Sequence, residues 1–148
     1  MANHIRQQIR EQVATTLTGL TTTGSNVFQS RVYHLQDSNL PALLIYTATE
    51  SSEAVTIGTT RNIERILELN IEGYAKATTN SDDTVDTIAK EVEVALASDV
   101  TINGLAKDCF IESTEISYNG EGEQPLAVIK MIFAVHYITA EGTPDTAI

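Results

Sequence analysis

Cysteine occurs once in the 148 residues, at Cys109. A lone cysteine excludes an internal disulfide and fits a reducing compartment. Positive charge is also scarce, with 9 Lys and Arg against 20 Asp and Glu. The first fifty residues balance, and the acidic excess lies in residues 51–148. An excess of this sign opposes tight phosphate binding, which relies on Lys and Arg displacing counterions. It keeps a protein soluble, and an acidic wall also lets DNA pass without sticking. No stretch is long and apolar enough to span a bilayer. The opening "MANHIRQQIREQ" is polar and amphipathic, unlike a secretory signal. The expected setting is the cytosol, or a particle assembled there. At this length one domain, 1–148, is expected, with enough chain to bury a core.

Catalytic signatures are missing too. His4, His34 and His136 form no H-x-x-x-H pairing, so no metal site is expected. Cys109 lacks a nucleophile's local signature and reads as a core residue. No G-x-S-x-G occurs. Gly120 and Gly122 make a lone G-x-G beside Glu121 and Glu123, which repel phosphate, so this is a hairpin tip. Asp82-Asp83 and Glu91/Glu93 lack a calcium-loop pattern and read as a helix cap and a solvated face. Arg6 and Arg10 read as a solvated helix face. No cofactor is implied, and no enzymatic activity is expected.

What is present is periodicity. "NHIRQQIREQVATTL" carries Ile5, Ile9, Val13 and Leu17 at steps of four, a helical stripe with Asn3 as its cap and Gly19 and Gly24 bracketing its end. "NVFQSRVYHL" and "LPALLIYTA" read as strands, the second buried on both faces. "NIERILELNIEGYA" puts Ile63, Leu67, Leu69 and Ile71 on one face with Arg65 as the exception. Its other face carries Glu64, Ile66, Glu68, Asn70, Glu72 and Tyr74. "NSDDTVDTIAKEVEVALAS" is a second helix, capped by Asn80 or Ser81, buried through Val85, Ile88, Ala89, Val92, Ala95 and Leu96. Asp86 and Lys90 are spaced for a weak surface pair. Asn103-Gly104 turns the chain. "CFIESTEISY" and "LAVIKMIFAVHYIT" then flank "NGEGEQP" as an antiparallel hairpin.

The order α-β-β-β-α-β-β predicts an α+β fold: a mostly antiparallel sheet of about five strands with two helices on one face. In "LAVIKMIFAVHYIT" the set Ala127, Ile129, Met131, Phe133, Val135, Tyr137 is wholly apolar or aromatic. The opposite set is mostly apolar as well, broken by Lys130 and His136. Two helices cover one face and leave the second open. Either another subunit covers it, or the stretch 48–60, "ATESSEAVTIGTT", folds over it; the sequence weighs these equally. The residues expected at a subunit interface are Val128, Ile132 and Ile138 on the last strand, Ile66 and Tyr74 on the middle strand, and Val55 and Ile57 in the 48–60 stretch. That stretch is expected to project and to be mobile in the free subunit.

The runs "LELNIEGYAKATTNSDDTVDTIAKEVEVAL", "IREQVATTLTGLTTTGSNVFQSRVYHLQDSNLPALLIYT" and "GEGEQPLAVIKMIFAVHYITAEGTP" together resemble the tail terminators of long-tailed bacteriophages, the minor tail protein U family. The likeness spans nearly the whole chain. It rests on patterns of hydrophobicity and turns, not on a catalytic signature, so no individual functional residue is carried over. The resemblance implies a virion protein that assembles as a homo-oligomeric ring, usually a hexamer. Such a ring caps the tail tube, stops polymerisation of the tube protein and offers a surface to a head-joining or stopper protein, while DNA passes through its channel. Two other readings stay open: a different neck or head-tail joining component, and a small oligomeric α+β enzyme or ligand-binding module.

Overall fold

The computed structural model describes residues 2–29, 40–76, 80–119 and 126–148. The elements run α1 (Ile5–Leu17), β1 (Val27–Phe28), β2 (Ala42–Ala54), β3 (Asn62–Lys76), α2 (Ser81–Ala97), β4 (Asp108–Asn119), β5 (Leu126–Ala140) and β6 (Thr143–Ala147). The expected α+β order is present, and β6 is one strand more than expected. The sheet order is β1-β2-β3-β5-β4, with β6 also pairing β5. β1 and β2 are parallel and every other pairing is antiparallel. The remainder of the expected "NVFQSRVYHL" strand, and the "NGEGEQP" loop beyond Asn119, fall outside the described residues.

Both helices lie on one face. Ile5, Ile9, Val13 and Leu17 of α1 and Val85, Ile88, Val92 and Leu96 of α2 share one core with Leu43, Ile45, Leu67, Leu69, Ile71, Ile129, Met131, Phe133, Val135 and Tyr137. The alternation expected for β3 and β5 is the one observed. α2 sits close on β3 because Gly73 has no side chain. A Cβ there would stand 2.8 Å from Ile88 Cγ2 and 3.0 Å from Ile129 Cγ2. Gly73→Ala is therefore expected to destabilise the fold by about 1–3 kcal/mol, the usual range for overpacking, read from urea denaturation midpoints.

Three local expectations are corrected. The cap of α1 is His4, whose Nδ1 accepts the Arg6 backbone N–H at 3.1 Å; Asn3 instead lends its carbonyl to the Gln8 side chain. Asp86 and Lys90 form no ion pair: the ion pairs among the described residues are Arg6–Glu50, Arg61–Glu141 and Arg65–Glu50. Glu91 is not a solvated residue. Its carboxylate accepts the Thr22 N–H at 2.9 Å and the Thr22 hydroxyl at 2.6 Å, tying the turn after α1 to α2.

The His4 cap works only with neutral imidazole, since a protonated Nδ1 cannot accept. Burial, then the positive charges of Arg6 and Arg65, hold the His4 pKa below its usual value, against Glu50 and Asp145. A histidine with a depressed folded-state pKa contributes stability that is present above its unfolded value, near 6.5, and is lost as the pH falls below it. His4→Asp keeps an acceptor at the cap without that titration. Between pH 7.5 and pH 5 the wild type is expected to lose more stability than this variant, as read by thermal unfolding.

The stretch 48–60 is the largest correction. β2 continues through Ala54, and Glu50 to Ala54 pair with Leu67 to Ile63. Only 55–61 is loop, closed by the Val55 N–H on the Asn62 carbonyl (2.9 Å) and the Asn62 N–H on the Thr56 hydroxyl (2.8 Å). Because 48–54 belongs to the sheet, it does not fold over the open face. Its polar Ser, Thr and Glu side chains read as loop, yet an exposed strand tolerates them once its backbone is paired.

Candidate subunit interface

The face away from the helices is built by cross-strand rows. Ile66 of β3 lies opposite His136 of β5, and His136 opposite Asp108 of β4. The next row is Glu68, Ala134, Phe110; then Asn70, Ile132, Ser113; then Glu72, Lys130, Glu115; then Tyr74, Val128, Ser117. Directly opposed residues of an antiparallel pair share a face. The structure therefore brings Tyr74 and Val128 side by side, and sets Ile138 opposite Glu64, one row from Ile66. Ile132 stands apart between Asn70 and Ser113. Val55 and Ile57 are not on this face but at the tip of the β2–β3 hairpin, where Ile57 is fully exposed.

Val128, Ile132, Ile138 and Tyr74 are half-buried, and Ile66 is exposed. Asn70 is buried, against its expected exposure, and its side-chain nitrogen has no hydrogen-bond partner. Glu72 holds both neighbouring tyrosines: the Tyr46 hydroxyl donates to Oε2 at 2.6 Å and the Tyr74 hydroxyl to Oε1 at 2.7 Å. Burial, then this bond to Glu72, pushes the Tyr74 phenol above its usual range. Across the face Glu53, Glu64, Glu68, Asp108, Glu112 and Glu115 outnumber Lys76 and Lys130. A hollow of about 340 Å³ lies beside Ile66, lined by Glu50, Glu68 and Glu112. Two copies of this face would repel each other, so it suits a different surface as its neighbour.

Sequence reasoning missed three features. Phe110 is exposed, and its ring centre is 5.5 Å from that of His136. Ile116 and Tyr118 are exposed on the helix side of β4, the edge strand. Glu50 is the centre of a polar cluster beneath the first turn of α1. It accepts from Arg6 (2.7 Å), from Arg65 (3.3 Å) and, through a short bond, from the Tyr137 hydroxyl; Arg65 also reaches the Thr139 hydroxyl at 3.2 Å. This is why Arg65 is tolerated on the core face, and why Arg6 is not merely solvated. The register shift between Thr47 and Glu50 turns Glu50 inward, where strict alternation would point it out.

The Glu50 carboxylate is taken up by Arg6, Arg65 and Tyr137, and Glu50 also lines the hollow it shares with Glu68 and Glu112. Among the described residues no group of three His, Cys, Asp or Glu is placed to hold a metal ion. Burial, then Asp108, pushes the Cys109 thiol up to about 11, which suits a core residue and not a nucleophile.

The family model for phage minor tail protein U matches residues 4–137. The chain belongs to that family. Membership makes this minor tail protein a structural component of the phage tail, located in the virion among other tail components. No curated relative matches the chain. A chain in the virion of a native gene transfer agent particle aligns with 90% of this one over 90% of its own length, at 11% identity and a TM-score of 0.41.

Proposed function

We propose that this minor tail protein is a tail terminator. It forms a ring, of six subunits as in the proteins it resembles, that caps the tail tube. The ring stops addition of tube protein and offers a joining surface to a head-joining or stopper protein. The observation that carries the reading is the family match over residues 4–137. A sheet face that mixes apolar side chains with carboxylates supports it, because such a face suits a contact with an unlike surface, and unlike contacts close into rings. The acidic excess supports a channel that DNA crosses without binding. Adding the protein to polymerising tube subunits is expected to shorten tubes in proportion to the dose. Tubes of unchanged length at every dose would refute the terminator role.

The hairpin tip belongs to this reading. In the free subunit the amides of 55–61 are expected to exchange quickly, apart from the bonded Val55, and to become protected in the ring. Those of Glu50 to Ala54 are held by β3 in both states. Equal protection of the tip in both states would remove it from the assembly contacts.

A further inference from the structure

We infer that Ile57 of one copy enters an apolar hollow on a second copy, between the end of α2 and the start of β4, so that each subunit carries both halves of one repeated contact. The inference rests on the ring reading above and deepens it. The hollow measures about 250 Å³. A water occupies about 30 Å³ of liquid, so the four-carbon side chain of an isoleucine fits. Its buried floor is Leu96, Cys109 and Phe133, and its exposed rim is Val100 and Phe110. Glu93 is the one charged residue lining it.

The knob is equally specific. Ile57 stands at the hairpin tip before Gly58, whose φ of +100° turns the loop, and it touches nothing in its own chain, being fully exposed. Val55 beside it is 47% exposed. Knob and hollow lie on different parts of the sheet, the knob on the β2–β3 hairpin and the hollow on the β4 edge, with β5 between. A contact between two unlike patches of one chain is head-to-tail, and it closes into a ring when the rotation allows. Charge favours the same pairing. The loop carries Arg61 and no carboxylate, and Arg61 is held by an exposed pair with Glu141 that is weak enough to exchange. Glu93 lines the hollow, and Asp108 and Glu112 flank it on β4 against Lys107.

The test is a pair of cysteines, Ile57→Cys with Val100→Cys, in the full chain, oxidised on tube ends. Both positions are exposed, so the fold tolerates them, and the native Cys109 thiol is buried and supplies little thiolate at pH 8. The expected result is a ladder of linked oligomers whose digestion yields a peptide joined between positions 57 and 100. Ile57→Asp alone is expected to weaken assembly about tenfold to a hundredfold, as burial of one isoleucine implies, with unchanged circular dichroism. Rings that form normally with Ile57→Asp, or without any linkage of position 57 to 100 or to Cys109 in the same hollow, overturn this contact and leave the terminator reading standing. Open chains carrying the 57–100 linkage, with no ring, uphold the contact and overturn the ring. Neither ring nor linkage overturns both.

Discussion

Phe133→Asp is expected to leave no folded protein, whereas Ile132→Asp, one residue earlier, folds and fails to assemble. Neighbouring residues in a strand point to opposite faces. Phe133 is buried beneath the helices; Ile132 is half-buried on the open face between Asn70 and Ser113. Truncating a core phenylalanine costs about 3–5 kcal/mol, and a carboxylate placed there without a partner adds more. That approaches the roughly 5–15 kcal/mol that holds a domain together. Ile132→Asp is expected to cost about 1–2 kcal/mol, because its carboxylate keeps access to water. The predicted outcome is near-normal circular dichroism for Ile132→Asp together with loss of rings and of tube capping. If Ile132→Asp also unfolds, the open face is covered from within the chain. If it still forms rings, the face is not a contact, and the hairpin tip and the β4 edge carry the assembly alone.

Removal of Glu50 has the second largest effect. Its carboxylate neutralises Arg6 and Arg65 and accepts from Tyr137, with its own side chain only 9% exposed. Glu50→Ala leaves Arg65 and the Tyr137 hydroxyl without that acceptor. Breaking a buried ion pair costs about 3–5 kcal/mol; Arg6 is open to water, so the expected loss is about 2–4 kcal/mol. Glu50→Gln retains an acceptor and is expected to lose about half as much. Urea denaturation of both variants reads the difference. A change under about 0.5 kcal/mol for Glu50→Ala, the range of ordinary surface substitutions, would show that the cluster is not holding α1 to the sheet.

These residues also show where sequence reading succeeds and where it stops. The parity of β5 was legible because a 15-residue strand repeats its alternation many times, and its apolar set covers one whole face. The parity of β2 was not, because one extra residue between Thr47 and Glu50, where Ala48 and Thr49 oppose Glu68 alone, reverses it halfway. The same kind of shift between Ile111 and Ser113 decides that Phe110 faces outward and Ile116 faces the helices. A bulge leaves no mark in polarity. The polar end of β2 read as loop because hydrogen bonding to β3, not side-chain character, makes it a strand. Of the expected interface residues, the pattern located the β3 and β5 set correctly on one face, but it could not distinguish that face from the hairpin tip where Val55 and Ile57 lie. The hollow beside β4 was invisible to sequence because it is assembled from α2, β4 and β5.

Electron microscopy of the purified protein mixed with tail-tube subunits separates a tail terminator from any other tail component. The expected image is a closed ring seated on one end of each tube, around a channel wide enough for duplex DNA, with no growth beyond it. A monomer in dilute solution is compatible with this, since the tube end can act as the template. A stable dimer that never caps a tube would contradict it.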